Sequence, residues 1–123
     1  MTDQREPTIR TVLLPRDTNA NGTIFGGVIL SHIDLAGAVE AKKHTPERIV
    51  TVAMEGVVFK QPVLVGELVS FYTETKKVGK TSITVHVEVV TERGGKRVSV
   101  TQADLTYVAI DATGRKTPVT SEV

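Results

Sequence analysis

The 123 residues carry a formal net charge of +1, so charge gives no reason to expect a nucleic-acid partner. Apolar residues make up 40% and charged residues 24%, as in ordinary globular proteins, and the length suits one domain, 1–123, whose core a partner subunit would extend. The absence of Cys excludes a disulfide scaffold, a thiol nucleophile and Cys-ligated zinc and fits a cytoplasmic protein, and no apolar run is long enough to span a bilayer, so no membrane partner is expected.

Residues 1–7 are polar, carry both signs of charge and lack an apolar run, so they read as a loose tail and not as a signal peptide. Thr8–Leu14 holds Ile9, Val12, Leu13 and Leu14, enough for a short strand that Pro15 ends. Residues 17–38 then organise the chain. They begin as a polar loop whose Asn19, Asn21 and Gly22 tolerate tight turns, and they end as the longest apolar run. From Val28 the pattern is helical, and it continues to about Lys43, where Thr45-Pro46 stops it.

Asp34 lies inside that apolar run. On a 3.6-residue wheel it shares a face with Leu30, Ser31, Gly37, Ala38 and Ala41, while His32, Glu40 and Lys43 fall on the other side. A carboxylate in such surroundings needs a partner or a chemical task. One account is a structural hydrogen bond to a neighbouring loop. The other is catalysis: small residues at 36, 37, 38 and 41 let a group approach the helix, and the amides of Gly26 and Gly27 sit where a helix N-terminus favours developing negative charge.

Beyond the helix, Arg48–Phe59 is β-branched and apolar on both faces, which predicts a strand covered on both sides. Lys60–Gly66 is a connection broken by Pro62 and Gly66, Glu67–Lys77 is a second long strand, and Val78-Gly-Lys is a tight turn. Thr81–Glu92 alternates Ile83, Val85, Val87 and Val89 against Thr84, His86 and Glu88, the clearest period of two in the chain. Arg93-Gly-Gly-Lys is a hairpin turn, and Arg97–Ile110 is the last strand, with a change of apolar phase that predicts a bulge near Thr101 and Gln102. Asp111–Val123 is a polar tail, loose over 112–123. The order is α+β: one strand, a helix apolar nearly all round, then four strands of an antiparallel sheet. Such a helix must be wrapped by the sheet or covered by a partner.

This order resembles the hot-dog fold, a curved antiparallel sheet of about five strands round one long central helix. Arg16-Asp-Thr-Asn-Ala-Asn-Gly-Thr-Ile-Phe-Gly-Gly and Ser31-His-Ile-Asp-Leu-Ala-Gly-Ala are similar to the acyl-CoA thioester hydrolases of the bacterial broad-specificity and cytosolic branch. Val50-Thr-Val-Ala-Met-Glu, Phe59-Lys-Gln-Pro, Lys77-Val-Gly-Lys-Thr-Ser and Tyr107-Val-Ala-Ile-Asp extend the likeness from Thr11 to Pro118. The resemblance implies hydrolysis of acyl-CoA to free acid and CoA, with Asp34 as the catalytic carboxylate and Asn19 taking part. It implies a site between two subunits, Asn19 of one chain meeting Asp34 of the other, and a trimer of dimers. The chain departs from the family at Thr23, where Asp is frequent, at Val28, where many members carry Trp, and at Gly56, where Ser or Asp is common. These bear on substrate range more than on reaction type.

A thioester has a good leaving group, so one carboxylate acting as general base, or attacking directly to give an anhydride, suffices beside an oxyanion donor. Gly27 N–H, with Gly26, is the candidate donor. The Asn19 amide would hold the water or the carbonyl; its plainer reading is a turn former, a role that suits Asn21 better. Lys77, Gly79, Lys80, Thr81 and Ser82 form a basic, hydroxyl-bearing turn that is either a contact for CoA phosphates or a solvated hairpin. CoA is part of substrate and product, so no cofactor is expected, and no His shares metal-ligand spacing with an acid. Two rival readings are a hot-dog dehydratase or hydratase, for which no His–acid pair can be assembled, and an acyl-CoA-sensing module, for whose DNA-binding segment this chain has no room.

Overall fold

The computed structural model describes residues 5–120. Its elements are β1 (Ile9–Val12), α1 (Gly26–Ala41), β2 (Arg48–Glu55), β3 (Leu68–Val78), β4 (Ser82–Arg93) and β5 (Lys96–Ile110). All strand pairs are antiparallel, in the order β1-β3-β4-β5-β2. Tight turns make β3, β4 and β5 a meander, and the two N-terminal strands close its opposite edges.

Helix α1 lies across one face of this sheet and touches β2, β3, β4 and β5. Its Ile29, Ile33, Ala36, Gly37 and Ala41 are buried there. Opposite them, Ile83, Val85, Val87 and Val89 of β4 are all fully buried, as strict alternation on a half-covered strand requires. Phe71, Leu105 and Tyr107 complete the centre of the core. Removing each such side chain from water contributes about 1.5–3 kcal/mol, which holds a helix of little intrinsic amphipathicity in place.

Several boundaries differ from the expectation. Gly26 and Gly27 are the first helical residues and not the loop before the helix: Phe25 is the cap, and its carbonyl accepts from the amides of Val28 (3.0 Å) and Ile29 (3.4 Å). After Ala41 the chain tightens into a 3-10 turn, Lys42–His44, before Thr45 becomes extended ahead of Pro46. Strand β2 stops at Glu55 because Gly56 adopts φ 74°, a left-handed conformation suited to glycine. The β5 bulge, by contrast, is where it was expected, beside Thr101: Val89 pairs with Thr101 and Val90 with Ser99, leaving Val100 as the extra residue.

Two corrections matter for function. The apolar β2 is an edge strand, not one covered on both sides; Val50 is 40% and Val52 56% exposed. Beside them, Leu35 (58%) and Val39 (52%) of α1 are exposed as well. The second concerns the tail. Over 112–120 it is tied down and not loose: Thr117 N donates to Ala109 O (2.9 Å), Val119 N to Lys80 O (2.8 Å), and the Val119 side chain is buried. At the other end Arg5 pairs with Glu88 (2.9 Å) and lies over the Tyr72 ring. The remaining tail residues, 1–4 and 121–123, lie outside the described residues.

Candidate functional site

Asp34 sits in the middle of α1, partly buried at the border between the covered and exposed faces of the helix. Its Oδ1 accepts two hydrogen bonds, from Thr51 Oγ1 of β2 (2.7 Å) and from the Tyr107 hydroxyl of β5 (3.1 Å). The same hydroxyl reaches the Asp34 backbone carbonyl at 2.8 Å. No described residue bonds Oδ2. The register explains the meeting. Thr51 pairs with Tyr107, which pairs with Ile83, so all three share one row of the sheet beneath the helix. A bulge at Val52, between Thr51 and Ala53, then shifts the rest of β2 by one residue.

Gly37 makes the reach possible. A methyl group at this position would collide with the Tyr107 hydroxyl and lie 3.2 Å from two of its ring carbons. The small-residue stripe thus admits a tyrosine from the chain's own sheet, while Ala36 and Ala41 simply fill the core. Burial, reinforced by the Asp34 charge, pushes the Tyr107 phenol far above the ordinary tyrosine range, so its proton stays on oxygen and is donated to Asp34. Tyr107, Thr51 and Gly37 were absent from the candidate set derived from sequence. The sole hints were a tyrosine in an apolar strand and a glycine in a helix.

Asn19 takes the turn-forming role that Asn21 was expected to hold. Its Oδ1 accepts from the amides of Asn21 (2.9 Å) and Thr23 (3.2 Å), and its Nδ2 donates to Thr23 Oγ1 (3.0 Å). Thr23 therefore orients the Asn19 amide and leaves one of its N–H groups unspent. The amides of Gly26 and Gly27, in the first helical turn, have no backbone acceptor among the described residues.

Next to Gly26 is a cleft of about 240 Å³ walled by Ile24, Ile29, Val63 and Val100, with Phe59 and Pro62 at its rim. The segment forming its outer wall is pinned on both sides. Lys60 N donates to Val100 O (2.8 Å), and Arg93 clamps Glu67 at 2.6 and 2.8 Å while also reaching Pro62 O (2.9 Å). A second, smaller hollow of about 120 Å³ is lined by Asp34, Leu35, Ala38, Ile49, Thr51 and Tyr107. The two share no residue. Gly27 precedes Asp34 by seven positions, roughly 10 Å along a helix, too far for both to reach one carbonyl group. Within one chain the sequence-derived candidates therefore fall into two half-sites.

The turn holding Lys77, Gly79, Lys80, Thr81 and Ser82 lies at the Asp34 end of the sheet, since Ile83 and Thr51 flank Tyr107 in the same row. Its carbonyls are engaged by Ala109 and Val119, and its lysines are exposed. The histidines are elsewhere. His32 stacks on Phe71, and His44 bonds Thr75 beside Glu40. Burial of Glu40 opposes its ionisation, but hydrogen bonds from Thr75, Lys43 and Thr73 outweigh that and keep its carboxyl below the usual range. A His–acid pair does exist, contrary to the sequence reading: His86 Nδ1 and Asp104 Oδ1 are 2.7 Å apart across β4 and β5. It stands on the sheet face away from α1. Among the described residues no three His, Cys, Asp or Glu are grouped to hold a metal ion, and no helix is long and apolar enough to cross a membrane.

The sequence pattern of the Thioesterase superfamily matches residues 21–98, which take in Gly26, Gly27, Asp34 and Thr51. The chain belongs to the thioesterase superfamily. It is 43% identical over 123 residues to the acyl-CoA thioester hydrolase YciA of Salmonella typhimurium, a match covering 96% of this chain and 92% of the relative. A hexameric hotdog fold thioesterase of Campylobacter jejuni superposes with a TM-score of 0.89 at 46% identity, over 96% of this chain and 92% of that one. The hexameric thioesterase y2039 of Yersinia pestis does so at 0.89 and 40%, over 97% and 98%. The sheet and helix described above are thus the hot-dog fold, as the sequence resemblance implied.

Proposed function

We propose that this chain hydrolyses acyl-CoA thioesters to a free carboxylic acid and CoA at sites assembled from two subunits, with Asp34 as the reacting carboxylate. The observation that carries this reading is Asp34 itself, a carboxylate on an apolar helix, held by one oxygen with the other open to a hollow. Asp34 takes a proton from water as the water oxygen attacks the thioester carbon, then returns it to the departing thiolate; direct attack through an anhydride balances equally, water cleaving the anhydride afterwards. Gly27 N–H, with Gly26 beside it, donates to the developing oxyanion from the partner's side of the interface, and the spare Asn19 N–H steadies the carbonyl or the water. No cofactor enters this scheme.

The exposed strip of Leu35, Val39, Val50 and Val52 borders the Asp34 hollow and supports burial against a second copy, and a trimer of dimers is the assembly we propose. The cleft beside Gly26 suits the acyl chain. An apolar cavity of roughly 150 Å³ accommodates benzene in another protein, so this one has room for about ten carbons. The exposed Lys77 and Lys80 offer charge to the CoA phosphates, and the Cys-free composition supports a cytoplasmic location.

The test is a series of acyl-CoA chain lengths with released thiol as the readout, run on the wild type and on Asp34→Asn. Hydrolysis that falls away beyond about ten acyl carbons, and that the substitution removes while thermal melting is retained, is the expected result. Full turnover in Asp34→Asn would refute the assignment of Asp34. A wild type inert toward every chain length would refute the activity.

A further inference from the structure

We infer that Tyr107 is the positioning residue for Asp34: its hydroxyl, passing over Gly37, locks one carboxylate oxygen and leaves the other aimed at the reacting thioester. The inference rests on the reading of Asp34 as the reacting carboxylate. A buried phenol needs one acceptor, and the Asp34 carbonyl at 2.8 Å already supplies it. The additional contact to Oδ1 at 3.1 Å is therefore surplus to the needs of the tyrosine, and it makes the hydroxyl a bridge between the main chain and side chain of one residue. With Thr51 on the same oxygen, rotation of the carboxylate would break two hydrogen bonds at once.

The two donors differ in how firmly they are placed. Thr51 is exposed and belongs to an edge strand, whereas Tyr107 is 1% exposed and held between β4 and β2. Tyr107 is thus the fixed reference against which the carboxylate is set. A helical glycine kept where alanine would raise helix propensity is the cost of that arrangement.

The experiment compares Tyr107→Phe, Gly37→Ala, the double variant and Asp34→Asn on a short acyl-CoA across pH. Tyr107→Phe keeps the ring and removes only the bridge. It lowers kcat about tenfold, the loss expected for one charge-assisted hydrogen bond, with KM changed less than about twofold. The acid limb of its kcat profile moves to higher pH, because a carboxylate deprived of a donor is protonated more readily. Gly37→Ala displaces the same hydroxyl and moves the limb in the same direction, and the double variant moves it no further. Each kcat value is divided by the folded fraction that circular dichroism gives at the same pH, so a loss of stability leaves the limb in place. An unshifted limb with wild-type kcat in Tyr107→Phe overturns the inference while Asp34→Asn, still inactive, upholds the reading beneath it. Retained turnover in Asp34→Asn overturns both.

Discussion

Replacing Gly37 by alanine sets two known effects against each other, and the structure decides the sign. In an exposed helix interior the change stabilises by about 1 kcal/mol through helix propensity and reduced freedom of the unfolded chain. Here the new methyl meets two Tyr107 ring carbons at 3.2 Å and its hydroxyl closer still. The ring cannot retreat, because it is packed against the core of the sheet and is 1% exposed. Overpacking of this kind costs about 1–3 kcal/mol, and displacing the hydroxyl forfeits the hydrogen bond of its single proton, shared between the Asp34 carbonyl and Oδ1 and worth about 1 kcal/mol. The balance is a loss of roughly 1–3 kcal/mol, equivalent to a fall in Tm of roughly 4–12 °C for a chain of this size. Urea titration followed by far-ultraviolet circular dichroism, at one fixed subunit concentration, measures it. Adding Tyr107→Phe removes the closest atom and recovers part of the loss. A Gly37→Ala protein as stable as the wild type, or more so, would refute the argument that Gly37 is retained for Tyr107.

Two further outcomes are expected. Glu67 has its carboxyl held below the usual range, chiefly by hydrogen bonds from Arg93, so the clamp contributes stability above the ordinary glutamate pKa of 4.5 and loses it as pH falls through the lower folded value. Glu67→Gln should lower Tm by about 2–4 °C at pH 7 and by less at pH 3; equal losses at both would show that the pair's charge is irrelevant. Asn19→Ala and Asp34→Ala proteins, each inactive, should regain roughly a quarter of wild-type activity when unfolded and refolded together in equal amounts, because half the dimers are mixed and each mixed dimer has one intact site. Mixed dimers that stay inactive would show that both residues serve the same site from one chain.

How far the sequence could be read varied with the range of the interactions involved. Strand β4 declared itself through Ile83, Val85, Val87 and Val89, since alternation is a local property. The helix did so through its apolar run, and Asp34 stood out inside it. The exposure of β2 was not legible, because Val50 and Val52 look the same whether they are covered by their own sheet or by another chain. The bond between Tyr107 and Asp34 spans 73 positions and depends on a strand register set by bulges, which no local pattern encodes. The pairing of His86 with Asp104 escaped for the same reason. Val119 was missed because the backbone of Lys80 anchors it, and backbone bonds leave no mark on composition.

The strand order has a kinetic consequence. The central meander, β3 to β5, comes entirely from the second half of the chain and pairs through short turns, so it closes quickly. Strands β1 and β2 must then find edges made by residues dozens of positions downstream, and each closure of that length slows the search. Helix α1 leaves the ribosome before any of the strands that cover its Ile29 and Ile33, so its apolar face waits for the last third of the chain. Asp34 is translated early, but its anchors, Thr51 and Tyr107, come together only when β2 docks beside β5. The hydrogen-bonded setting of Asp34 is thus among the last parts of the molecule to form, and a chain stopped short of Lys96 carries the carboxylate without the strand that holds it.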